Sequence, residues 1–178
     1  CGANPGKIVF SGVGKTKEEI EFALKLKKYP LYSFNVESEE ELEMINFYAQ
    51  KLNVIARIAF RLNPQVVAKT HKYISTGYKD HKFGMLGDAI ARALKQKKYW
   101  THSKLVGASV HIGSQLTELA ATKRAIEEVS SLLLNAKADF EFVDVGGGLG
   151  IPYRQDEKVA AISDYMNVVS STLKKYLW

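Results

Sequence analysis

The segment FVDVGGGLG, residues 142–150, runs an apolar stretch into three consecutive glycines. Consecutive glycines cost backbone entropy on folding, so a close approach or an unusual dihedral must require them. Bare backbone amides at such a place suit a phosphate. A second group, HIGSQ at 111–115, closes another apolar run and offers an imidazole and a hydroxyl. Arg61 with Asn63 closes a third run, Asn35 with Glu37 a fourth, and Ser11 with Gly12 a fifth.

Two nucleotide motifs can be tested by spacing. A G-x-G-x-x-G fingerprint starting at Gly146 needs a small residue at 151, which is Ile151; starting at Gly148 it needs one at 153, which is Tyr153. GVGKT at 12–16 sits where a P-loop would, but that motif needs glycine five residues before Gly14, where Val9 stands. What survives is a glycine-rich strand end, a His and a Ser on a neighbouring strand, and an Arg on another. Backbone amides with a serine hydroxyl suit a phosphate monoester, and an imidazole can lie flat against a planar ring. That combination describes a pyridoxal phosphate site better than a dinucleotide site.

The elements that must position these groups alternate regularly. Strands are expected at Lys7–Ser11, Leu31–Val36, Asn53–Asn63, Leu105–Ile112 and Phe140–Val145. Helices are expected after capping boxes at Thr16–Glu19 and Ser38–Glu41, the second burying Leu42, Ile45, Phe47, Tyr48 and Leu52. Further helices are expected over Asp88–Lys98, Thr117–Ala136 and Val159–Leu177. Pro64–Met85 reads as a long irregular stretch, a length that in compact domains usually carries function. Strands alternating with helices imply parallel βαβ units, either a doubly wound sheet or a (β/α)8 barrel. Both place their sites at the carboxyl ends of the strands, where the polar groups above all fall.

Composition excludes several classes. The chain has 178 residues, 46% of them hydrophobic, enough for one domain with a sizeable core. Its 25 Lys+Arg against 19 Asp+Glu give a net charge of +6. The lysines are spread along helices without interleaved Arg and aromatics, so no nucleic-acid face is expected. No apolar run approaches a membrane span, and no signal peptide opens the chain. Cys1 is the only cysteine, which excludes a disulfide framework or thiolate metal site and suits a reducing, cytoplasmic setting. The chain opens CGANPGK and stops at Leu177-Trp178 within a helical pattern, so it reads as a piece of something longer.

RLNPQVVAKTHKYISTGYKDHKFGM, GASVHIGSQ and FVDVGGGLGIPY resemble the diaminopimelate decarboxylase family, pyridoxal-phosphate enzymes related to ornithine decarboxylase. VFSGVGKTKEEI and FNVESEEEL extend the resemblance over essentially the whole chain. THKYISTG with KFG is its most specific element for diaminopimelate. The resemblance implies that His111 stacks on the pyridine ring, that Ser114 with Gly146, Gly147 and Gly148 holds the phosphate, and that Arg61 lies near the cofactor. It makes Pro64–Met85 the loop that closes over substrate. The reaction it implies converts meso-diaminopimelate to L-lysine with loss of CO2, on a homodimer.

The implied fold is an α/β, alanine-racemase-like (β/α)8 TIM-type barrel followed by a β-domain. Residues 1–178 correspond to an incomplete barrel of about five βα units, family strands three to seven. The family's Schiff-base lysine motif Y-A-x-K-A-N, its E-P-G-R segment and the late Cys and Tyr of the β-domain have no counterpart here. No catalytic residue is therefore assigned in this chain, and the chain alone is expected to be inactive. Lys15 and Lys82, near strand ends and the loop, are the two amines that a surrogate imine would have to use. The alternatives are a related ornithine, arginine or carboxynorspermidine decarboxylase, a non-catalytic pyridoxal-phosphate-binding barrel, and an NTP-binding domain built on GVGKT.

Overall fold

The computed structural model describes residues 2–26, 30–66, 83–136, 140–154 and 156–177. Five strands form one sheet in chain order: β1 (Val9–Phe10), β2 (Ser33–Val36), β3 (Ala56–Leu62), β4 (Ser103–Val110) and β5 (Phe142–Asp144). Every neighbouring pair is parallel. A parallel pair needs a crossover, and helices supply it: α1 (Lys17–Leu24), α2 (Glu39–Lys51), α3 (Gly87–Lys95) and α4 (Ala120–Ala136), with α5 (Ile162–Leu177) following β5. The result is an open parallel half-barrel, the incomplete TIM-type barrel expected above. Among the described residues, β1 and β5 are its edges.

Alternation along each strand sorts the two faces. Phe34, Val36, Ile58, Phe60, Leu62, Ala108 and Val110 join Ile20, Leu42, Ile45 and Ile90 from the helices in one hydrophobic core. Phe60 meets Trp100 edge-on, with ring centroids 5.6 Å apart. The opposite set is small or polar: Ser33 and Asn35 on β2, Ala59 and Arg61 on β3, Gly107 and Ser109 on β4. These face away from the helices, toward the inside of the half-barrel. Gly107 is required there, since a Cβ would stand 2.7 Å from the Phe142 ring.

Most elements are shorter than their sequence patterns. β1, β2, β3 and β5 begin two or three residues later than expected, whereas β4 is shifted two residues earlier, to Ser103–Val110. Thr16 forms a full capping box with Glu19, as expected. Ser38 accepts from the Glu41 amide, but the reciprocal half is missing because the Glu41 carboxylate turns to Lys15. Phe47 is 59% exposed, not buried. Ala49 takes the inward place on α2 beside Leu42 and Ile45. Helix α3 stops at Lys95 and a 3-10 turn spans Lys97–Tyr99. Helix α4 starts three residues later than expected, because Leu116 is drawn into pairing with Gly148 and Gly150. Of the Pro64–Met85 stretch, residues 67–82, including Lys82, lie outside the described residues. No helix is long and apolar enough to cross a membrane among the described residues.

Candidate cofactor site at the carboxyl rim

The polar groups at the strand ends separate into two constellations. Over β4 and β5, the rim is built mainly from backbone. Gly146 and Gly148 have φ of +73° and +87°, a region that side chains rarely occupy. A Cβ on Gly146 would fall on the Val110 carbonyl and lie 3.0 Å from His111 Nδ1. A Cβ on Gly148 would fall on the Gly113 carbonyl. These two glycines therefore let the chain after β5 lie directly against the chain after β4. Gly147 differs: a Cβ there would meet nothing within 4 Å, and the residue is exposed.

Several bonds stitch these two loops together. Leu116 N donates to Gly148 O at 2.8 Å and Gly150 N to Leu116 O at 3.0 Å. Gln115, at φ +55°, donates from Nε2 to Ile151 O at 3.2 Å and accepts from Ile151 N at 3.0 Å. Asp144 Oδ1 accepts from Gly146 N at 2.9 Å. The Tyr165 hydroxyl of α5 donates to Gly146 O at 3.3 Å. Gly147 N points at His111 Nδ1 over a long 3.5 Å. His111, Ser114 and Gly147 are exposed on this rim, and the amides of Ser114 and Gly148 find no acceptor among the described residues.

Over β1 to β3 the rim is built from charged side chains that pair with one another, although Glu37 Oε2 and Asn35 Oδ1 stay buried without a partner among the described residues. Lys15 Nζ donates to Gly12 O at 2.7 Å, Asn35 O at 2.8 Å and Glu41 Oε1 at 2.8 Å. The Lys15 side chain is 1% exposed. All three ammonium protons are engaged, so this lysine has none left for a phosphate or a surrogate imine. The P-loop reading of GVGKT fails on this geometry as well as on spacing. Burial raises the Glu41 carboxyl above the ordinary glutamate range and outweighs the opposing pull of Lys15.

Arg61 Nη1 pairs with Glu37 Oε1 at 2.6 Å, and the guanidinium lies over the Phe83 ring, 5.6 Å from its centroid. Glu37 Oε1 also accepts from Gly12 N at 3.2 Å, and Asn35 Nδ2 donates to Ser11 Oγ at 2.6 Å. Arg61 lies on the inner face beside Ser109, two residues before His111. It does not touch His111 or the glycine turn among the described residues. The structure thus brings His111, Ser114 and Gly146–Gly148 to one place and sets Arg61 beside it, on the neighbouring strand.

Sequence reasoning missed Asp144, Tyr165 and the engagement of Glu41. Asp144 carried a signal, since an aspartate two residues before a tight turn often accepts from its backbone. Tyr165 carried none. No group of three or more His, Cys, Asp or Glu side chains suited to a metal occurs among the described residues.

A half-barrel of parallel strands with a glycine turn beside a histidine at its carboxyl rim fits a barrel-type cofactor-binding domain. Residues 1–178 match the family model of the pyridoxal-dependent decarboxylases, pyridoxal binding domain, and the chain belongs to that family. It is 43% identical to the diaminopimelate decarboxylase of Vibrio cholerae over 99% of this chain and 42% of that protein. It is 41% identical to the Campylobacter jejuni diaminopimelate decarboxylase over 97% of this chain and 43% of that one. The crystal structure of diaminopimelate decarboxylase from Helicobacter pylori complexed with L-lysine superposes with a TM-score of 0.86 at 40% identity, covering 97% of this chain and 44% of that one. The chain therefore spans less than half the length of the relatives it matches.

Proposed function

We propose that this chain is the cofactor-holding part of a pyridoxal-phosphate-dependent decarboxylase that converts meso-diaminopimelate to L-lysine and CO2. The observation that carries the proposal is the convergence of His111, Ser114 and the Gly146–Gly148 turn at one rim. The residues fit the cofactor. Gly147 leaves open space beside the backbone, and the unengaged amides of Ser114 and Gly148 with the Ser114 hydroxyl supply donors for a phosphate monoester. His111 is exposed beside them, placed to lie against a planar ring. When bound, pyridoxal phosphate supplies the electron sink for the pair left behind as a carboxylate departs as CO2. This chain's part is to hold the phosphate through the glycine rim, to orient the ring with His111, and to present Arg61, fixed by Glu37, near the cofactor.

Substrate choice is supported by relatives at about 40% identity that carry the diaminopimelate decarboxylase name. The whole enzyme is proposed to be a cytoplasmic homodimer. The test is CO2 release by the full-length protein from meso-diaminopimelate, ornithine and arginine in parallel. Release from diaminopimelate alone is expected. Release from ornithine or arginine instead would replace the substrate assignment, and cofactor binding without release from any of them would favour a non-catalytic barrel.

A further inference from the structure

We propose that Asp144 and Tyr165 are positioning residues that fix the glycine turn in the form that receives the cofactor's phosphate, an inference that rests on the cofactor site proposed above. Gly146 is held at both of its peptide groups: its N–H by Asp144 Oδ1 at 2.9 Å, its carbonyl by the Tyr165 hydroxyl at 3.3 Å. The two holders come from different elements, Asp144 from the end of β5 and Tyr165 from α5, nineteen residues beyond Gly146. A glycine at φ +73° followed by two further glycines has wide backbone freedom, so its conformation depends on such outside bonds.

The Tyr165 bond does more than fasten the turn. Gly146 O and Gly147 N–H belong to one planar trans peptide and point in opposite directions. Fixing the carbonyl against α5 therefore turns the Gly147 N–H away from α5, to the side where His111 stands. Tyr165 accordingly sets the direction of an amide at the most open position of the turn. Burial, with the Asp144 charge adding to it, raises the Tyr165 hydroxyl pKa, which keeps it a proton donor. Asp144, by engaging the Gly146 N–H, withdraws that amide from the donors facing a ligand. The three glycines are thus unequal: Gly146 is the fastened one, and the phosphate-facing amides are those of Gly147, Gly148 and Ser114.

The test is equilibrium dialysis of the full-length apoprotein against pyridoxal 5′-phosphate and, separately, pyridoxal, which lacks the phosphate. Tyr165→Phe removes only the hydroxyl. It is expected to weaken pyridoxal phosphate binding about two- to tenfold, the worth of one hydrogen bond, while leaving pyridoxal within about twofold. Asp144→Ala should lower the same preference by a comparable factor. Asp144→Asn keeps an acceptor for Gly146 N and should restore it. Should Asp144→Ala not fold, Tyr165→Phe decides alone. Equal losses for both ligands, or an unchanged preference in Tyr165→Phe, would overturn the inference. A wild-type protein with no preference for the phosphorylated ligand would instead overturn the cofactor site itself.

Discussion

The two halves of the rim solve different problems with different materials. Over β1 to β3, long charged side chains reach inward and pair with one another: Lys15 spends three donors on Gly12, Asn35 and Glu41, and Arg61 closes on Glu37. Over β4 and β5, the polar groups are peptide amides and short side chains that remain exposed. A network of paired charges holds strands together, and a rim that leaves donors facing outward can take a ligand. Two lysine-and-glycine or glycine-rich segments at strand ends, GVGKT and VGGGLG, thus look alike as strings and act differently. The first is fastened to the body of the fold by its lysine, and the second is opened to the rim by its glycines.

The largest effect is expected from breaking the closed half. Lys15→Met leaves the Glu41 carboxylate buried without its cation, which should cost about 3–5 kcal/mol in a denaturant titration. The pH dependence follows from the direction of the Glu41 shift. Its folded pKa lies above the ordinary 4.5, so its favourable contribution is complete below that value and is lost as pH rises through the folded pKa. Lys15→Met raises the folded pKa further and should steepen the loss of stability above the ordinary glutamate range. Adding Glu41→Gln should flatten that slope. An unchanged midpoint and slope in Lys15→Met would mean that this half of the rim is not held by its charges.

Gly148→Ala strikes the open half where its backbone is most constrained. A side chain at φ +87° costs about 1–3 kcal/mol by itself, and this Cβ also falls on the Gly113 carbonyl. Thermal melts should show a clear loss, with cofactor binding lost in parallel. His111→Ala should act on the ligand alone, weakening cofactor binding by about 1 kcal/mol. The fold should be unmoved, since His111 is exposed. Isothermal titration beside a melt separates the two, and a destabilised variant with normal cofactor binding would make His111 a structural residue. Gly147→Ala sharpens the comparison by its mildness: open space and an ordinary φ predict a stability change within about 0.5 kcal/mol. A large loss of stability there would mean that the turn is packed at all three glycines.

Much of this architecture was legible in the chain. The alternation of β-branched runs with capped amphipathic segments gives the parallel order, and the Thr16 capping box is met in full because its partners lie three residues apart. The gathering of polar groups at one rim follows from parallel strands alone. The misreadings share a cause. Ser38–Glu41 has the same local signature as Thr16–Glu19, yet a lysine 26 residues earlier in the chain claims the carboxylate. Phe47 fits a helical stripe, but the width of the face that α2 presents to the sheet was not visible, and Ala49 fills it instead.

What the chain determined by itself is whatever depends on neighbours within a turn or a strand: the elements, their order, and which residues end them. Tertiary structure decided which of those ends face one another. Parallel strands lie about 4.8 Å apart, and that closeness, absent from the linear string, makes Gly146 and Gly148 necessary. It also brings Lys15 to Glu41 and lets Tyr165, from a helix at the end of the chain, hold the first glycine of the turn.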